Sequence, residues 1–197
     1  MDAGMRLFAT QGFEATTVGE IERAAGLQPR RGALYKHFDS KQALLEEAVR
    51  ADLDMAALGV RQIENVDLSS LATADREVLE PLVRAVGQWF LDEMDRLEDL
   101  TRVFEHDSGR LGPLTNEVRE NLVDLSYRAT VRILRAISPQ SRDPEAAALM
   151  ILGPLVALRR TTWTYAAPPL GLADDRTLGC WTSTALSIID SLRHEAA

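Results

Sequence analysis

Cysteine is nearly absent. Cys180 is the single thiol in 197 residues, which excludes a disulfide framework within one chain and fits a reducing compartment. Long apolar runs are missing too. The longest, Ala146–Leu158, is too short to span a bilayer and contains Gly153 and Pro154. No basic segment leads into an apolar one at the start, so a secretory leader is not expected. Together these absences predict a soluble, cytoplasmic protein with no membrane partner. Histidine is scarce, with only His37, His106 and His194. None follows a glutamate by three residues, as a di-iron Glu-x-x-His pair would require. The His-Glu-x-x-His zinc motif and Gly-Lys phosphate cradles are also missing, and Cys180 lacks the surroundings of a nucleophile. The expectation is a protein that is not an enzyme, with no catalytic residue, no metal and no cofactor.

What is present suits a globular chain. Hydrophobic residues make up 46% and charged residues 26%, enough for a buried core under an ordinary soluble surface. The net charge of −8 argues at first against a nucleic-acid partner. Its distribution reverses that argument. Residues 1–50 carry seven basic and seven acidic side chains, so the whole excess lies in residues 51–197. The only two lysines, Lys36 and Lys41, share a short stretch with Arg30 and Arg31, and Asp39 is the only acid between Gln28 and Leu45. Screening over ~8 Å lets a local basic patch act on phosphates despite a distant acidic body.

Apolar residues recur at helical spacing, and the period-two alternation of strands is missing. Gly12 ends a first helix that carries Leu7 and Phe8. Thr17 and Glu20 stand at the N-cap and N3 positions of a capping box, which opens a short helix closed by Gly26. Leu34 and Phe38 share a face of a third short helix. Asp39 or Ser40 caps a fourth, which runs towards Gln62. Helices shorter than ~12 residues are marginal alone, so the first three must pack as a helix-turn-helix. A polar loop covers residues 65–74, and helices are expected near 75–97, 98–108, 115–137, 143–166 and 174–194.

Residues 7–45 carry Leu7, Phe8, Gly12, Phe13, Thr16, Thr17, Ile21, Ala24, Ala25, Gly26, Leu34, Tyr35, His37, Phe38, Ser40, Lys41 and Leu44 in that order. This succession closely resembles the N-terminal motif of the TetR family of transcriptional regulators. The resemblance implies an all-α protein. Residues 1–48 would be a three-helix helix-turn-helix DNA-binding domain, and residues 49–197 a helical ligand-binding and dimerisation domain. It implies three partners: a double-stranded, palindromic DNA operator, a second copy of the chain, and a small-molecule effector that releases the DNA. Loss of DNA binding, or activation in place of repression, are the alternatives. By the resemblance, Thr16 or Thr17, Tyr35 and Lys41 contact phosphates, and Lys36 and His37 lie at the interface. The helix that enters the major groove presents its first residues to base edges. Here these are Gln28, Arg30, Arg31, Gly32 and Ala33. Arginine reads guanine bidentately, and Ala33 and Gly32 allow close approach to DNA.

Three departures stand out. The stretch between Ala-Ala-Gly and Leu-Tyr is two residues longer than the family spacing. Glu22 replaces a small alanine and must point outward or find a partner. The chain begins near the middle of the family's first helix, so either the true start lies upstream or the usual basic arm is lacking.

In the larger domain, Trp89, Phe90, Met94, Phe104, Tyr127 and Trp163 are candidate ligand-pocket residues. Glu105, His106 and Asp107 form a polar helix end. Two stripes are candidates for the dimer interface: Met150, Gly153 and Ala157 on one helix, and Leu178, Trp181, Ala185, Ile188 and Leu192 on the next.

Overall fold

The computed structural model describes residues 1–28 and 32–194, with only the backbone described at Glu64. Among these residues the regular structure is helical throughout, with no strand. The helices are α1 (Asp2–Gln11), α2 (Val18–Ala24), α3 (Lys41–Glu64), α4 (Arg76–Arg96), α5 (Glu98–Leu111), α6 (Leu114–Val118), α7 (Leu125–Ile137), α8 (Pro144–Tyr165) and α9 (Asp174–His194). The long helices expected after residue 40 recur, with one interruption. A π-helical stretch, Arg119–Asp124, divides the helix expected over 115–137 into α6 and α7. α8 continues through Pro154.

Local chemistry accounts for the helix ends. Asp143 accepts the Ala146 N–H at 2.9 Å and Pro144 occupies the first turn of α8, where its missing N–H costs nothing. Ser40 accepts the Ala43 N–H at 3.0 Å and so starts α3. At the end of α2 the N–H of Gly26 bonds the Arg23 carbonyl and that of Leu27 bonds the Glu22 carbonyl. This pair of bonds closes a Schellman motif, and Gly26 supplies its left-handed residue at φ 73°.

The chain divides into two compact units. The first contains residues 1–58 and 96–122; the second contains residues 59–95 and 123 onward. α3 crosses this division along the chain. In the first unit Phe8, Leu45, Val49, Leu100 and Val103 are fully buried in one core. The helix-turn-helix segment thus shares its core with α5. In the second unit Leu79, Leu91, Leu155, Trp181 and Leu186 form a separate core. Arg159, almost wholly buried, fixes three helices of that unit by pairing with Asp95 at 3.1 Å and Asp174 at 2.9 Å. Among the described residues no helix is long and apolar enough to cross a membrane.

Candidate nucleic-acid interface and ligand cavity

The predicted capping box is formed. Thr17 Oγ1 accepts the Glu20 N–H at 3.3 Å, and Glu20 Oε2 accepts the Thr17 N–H at 2.8 Å and its hydroxyl at 2.7 Å. These bonds hold the Glu20 carboxyl below the usual carboxylate range. Of the two threonines, Thr17 faces solvent. Thr16 is buried, and its hydroxyl donates to the Gly12 carbonyl at 2.7 Å.

Lys41 also turns inward. Its ammonium donates to the carbonyls of Phe13 at 2.6 Å and Thr16 at 2.8 Å, and lies 4.1 Å from the centre of the Phe13 ring. It clamps the loop that leads into α2, so two of its three donors are committed inside the first unit.

The third helical element differs from expectation. Among the described residues it is a single 3₁₀ turn, Leu34–Lys36, in place of an α-helix. Gly32 sits at φ 65°, outside the right-handed helical region, and α3 already starts at Lys41. Glu22 explains how this shortened element is held. Its side chain is 2% exposed, and Oε1 accepts the Leu34 N–H at 3.2 Å. The departure that needed a partner has found one in Leu34.

The outer edge of this element is exposed. Gln28, Tyr35, Lys36 and His37 face solvent, and Gly32 and Ala33 are half-buried. Arg30 and Arg31 lie outside the described residues. The loop that leads into α2 is buttressed by α5. Asp107 Oδ2 accepts the Phe13 N–H at 2.9 Å, and Arg110 pairs with Glu14 while lying 5.1 Å from the Phe13 ring centre. The polar helix end at 105–107 therefore supports the helix-turn-helix. Sequence spacing gave no hint of this, since the partners are 94 residues apart.

The second unit holds a cavity of about 350 Å³ between α4, α7, α8, α9 and the chain around residues 63–71. Its walls are mainly aliphatic, among them Leu79, Val83, Ile133, Ile137, Leu155 and Ile189. Of the six candidate pocket residues, only Phe90 lines it. Trp89 packs against Gly59, where a Cβ would come within 3.1 Å of the indole. Phe104 packs on the core of the first unit and Tyr127 on that of the second. Trp163 donates to Asp95 at 3.3 Å, and Met94 is half-buried elsewhere.

The dimer candidates also separate. Met150 and Ala157 are exposed and Gly153 is half-buried. Leu178, Trp181, Ala185 and Leu192 are buried within the protomer, and Ile188 is half-buried against the same core. Trp181 donates its indole N–H to the Ile151 carbonyl at 2.7 Å and forms part of the cavity wall. The apolar stripe on α9 is thus the inner face of that helix. Its outer face carries Cys180, Ser183, Thr184, Ser187 and Ser191.

Among the described residues the structure is thus helical, with a helix-turn-helix segment in the first unit and a cavity in the second. Residues 1–48 match the family model described as bacterial regulatory proteins, tetR family. The HTH-type transcriptional repressor KstR2 of Rhodococcus jostii is 41% identical over 75 residues, 38% of this chain and 36% of that protein. The HTH-type transcriptional regulator BetI of Rhizobium meliloti is 29% identical over 166 residues, covering 78% and 72%. Among the first curated relatives the match spans about a third of their length. A solved structure from Mesorhizobium loti, described as a TetR-family transcriptional regulator, superposes with a TM-score of 0.64 at 18% identity, over 97% of this chain and 91% of that one. The likeness to it is one of fold.

Proposed function

We propose that this protein is a transcriptional regulator that binds a palindromic operator as a homodimer, most simply as a repressor, and releases it when a small molecule enters the second unit. The exposed Gln28, Tyr35, Lys36 and His37, on a segment whose Leu34 N–H is held by the buried Glu22, carry this reading. It offers polar and basic side chains at the position from which a helix-turn-helix reads the major groove. The match of residues 1–48 and the repressor KstR2 among the relatives support it.

Dimerisation is supported by the outer face of α8, where Leu149 is 52% and Met150 63% exposed beside the exposed Ala157. The small residues on the outer face of α9 allow close approach of a second copy. Two-fold symmetry in the protein then matches two-fold symmetry in the site. Coupling to a ligand follows from α3, whose residues 41–58 belong to the first unit and 59–64 to the second. A ligand that favours one setting of that helix shifts DNA affinity by ~1–3 kcal/mol, roughly 5–150-fold.

The test is selection of DNA from a random pool, followed by titration of Arg31→Ala. Loss of ~1–3 kcal/mol with relaxed preference at one base position is expected of a base-reading arginine. Full retention of specificity in that variant removes Arg31 from the reading, and no enrichment of any palindrome removes the reading itself.

A further inference from the structure

We propose that the cavity of the second unit takes an uncharged lipophile of about a dozen non-hydrogen atoms and rejects the corresponding carboxylate or phosphate. The proposal rests on the reading above, that this unit holds the effector, and names the chemical class.

Size comes first. At ~30 Å³ per non-hydrogen atom, the 350 Å³ cavity holds roughly a dozen. Chemistry comes second. Among the described residues no arginine, lysine or histidine lines the cavity. The single ionisable side chain there is Asp67. The backbone N–H and the hydroxyl of Ser69 hold its carboxyl below the usual carboxylate range, and it faces solvent, so it offers an anionic headgroup no attraction.

The cations on the surrounding elements are committed elsewhere. Arg132 donates to the carbonyls of Ile63 at 2.8 Å and Val66 at 2.9 Å, and lines a different groove with Ala72 and Pro139. Arg193 donates to the carbonyls of Leu71 at 3.1 Å and Ala74 at 2.8 Å. Arg84 pairs with Asp175. Arg132 and Arg193 thus fasten the backbone of one cavity wall, and among the described residues no arginine lines the cavity.

The polar atoms of the lining are similarly occupied. The indole N–H of Trp181 is taken by the Ile151 carbonyl, and the Thr130 hydroxyl donates to the Ser126 carbonyl at 3.0 Å. A carboxylate drawn into this space would lose its water and gain no charge partner, with the Ser70 hydroxyl as its available side-chain donor among the described lining residues, which is costly. A hydroxyl or no polar group at all meets no such penalty, since Asp67 and Ser70 can accept a hydrogen bond.

Calorimetric titration of the full chain with decanol and with decanoate tests this without DNA, so its outcome is independent of the regulator reading. Decanol is expected to bind at least about tenfold more tightly than decanoate. Val86 lines the cavity and is 38% exposed, so a larger side chain there can be accommodated. Val86→Trp should abolish decanol binding by filling the space. Val86→Arg should raise decanoate affinity about tenfold by supplying the missing cation. Circular dichroism and melting checks establish that both variants fold. Equal affinity for the two probes, binding of neither, decanol binding that survives Val86→Trp, or decanoate affinity unmoved in a folded Val86→Arg would each overturn the proposal.

Discussion

Replacing Lys41 by methionine removes the ammonium and keeps most of the stem. Two charge-assisted hydrogen bonds go with it, to the carbonyls of Phe13 at 2.6 Å and Thr16 at 2.8 Å, together with the contact to the Phe13 ring. Bonds to a charged group contribute about 1.5–3 kcal/mol each, and an exposed cation–ring contact about 0.5–1 kcal/mol. Lys41 is only half-buried, so water competes for the same donors, and ordering its long side chain offsets part of the gain. A net loss of ~2 kcal/mol is the reasoned value, equivalent to a fall of roughly 4–8 °C in melting temperature for a chain of this size. The assay is thermal and urea unfolding followed by circular dichroism. DNA affinity should fall as well, because Thr16 directly precedes the cap of α2. Its salt dependence should change by clearly less than the near-unit change in slope that losing a phosphate contact produces. A melting temperature within ~1 °C of the parent refutes the clamp. A full-unit change in the salt slope would return Lys41 to the phosphate role that the resemblance implies.

Three further outcomes follow from the same geometry. Asp107→Ala should cost about 1–3 kcal/mol by orphaning the Phe13 N–H, and Asp107→Asn should recover part of it; equal loss in both variants in urea melts would contradict the bond. Asp99, raised above its usual value chiefly by burial, costs stability when ionised. That cost is absent below its unfolded value, grows as pH climbs to the raised folded value, and is complete above it. Asp99→Asn should therefore be more stable than the parent at pH 7, with the gain vanishing at acid pH, and unfolding midpoints against pH check this. Met150→Asp should yield a folded monomer by light scattering, because it alters an exposed face; a persistent dimer would move the interface off α8.

Much of the fold was legible because helix ends are local. Thr17 with Glu20 and Gly26 after Ala25 mark their boundaries in a few residues each, and those bonds are present in the structure. The long helices followed from apolar spacing. The site was less legible because its partners are distant in sequence. Nothing near Lys41 announces that its ammonium turns back on Phe13 and Thr16, and nothing near Asp107 points to residue 13. Glu22 was visible as an anomaly, but its partner Leu34 lies across a turn of unusual length. Aromatic content was a poor guide to the cavity, whose walls are mostly leucine, valine and isoleucine. Apolar spacing on α9 gave the buried face correctly, yet periodicity cannot tell a face buried in its own protomer from one buried against a second copy. Trp181 went to the former.

The central claim is that the Gln28–His37 edge of a dimer reads DNA sequence. Fluorescence anisotropy with the most enriched selected duplex, at fixed salt and with a scrambled duplex of equal length, tests it most directly. Two protomers are expected per palindrome, with an affinity for it at least ~10³-fold above the scrambled control. Equal affinity for the two duplexes, or one protomer per site, would contradict it.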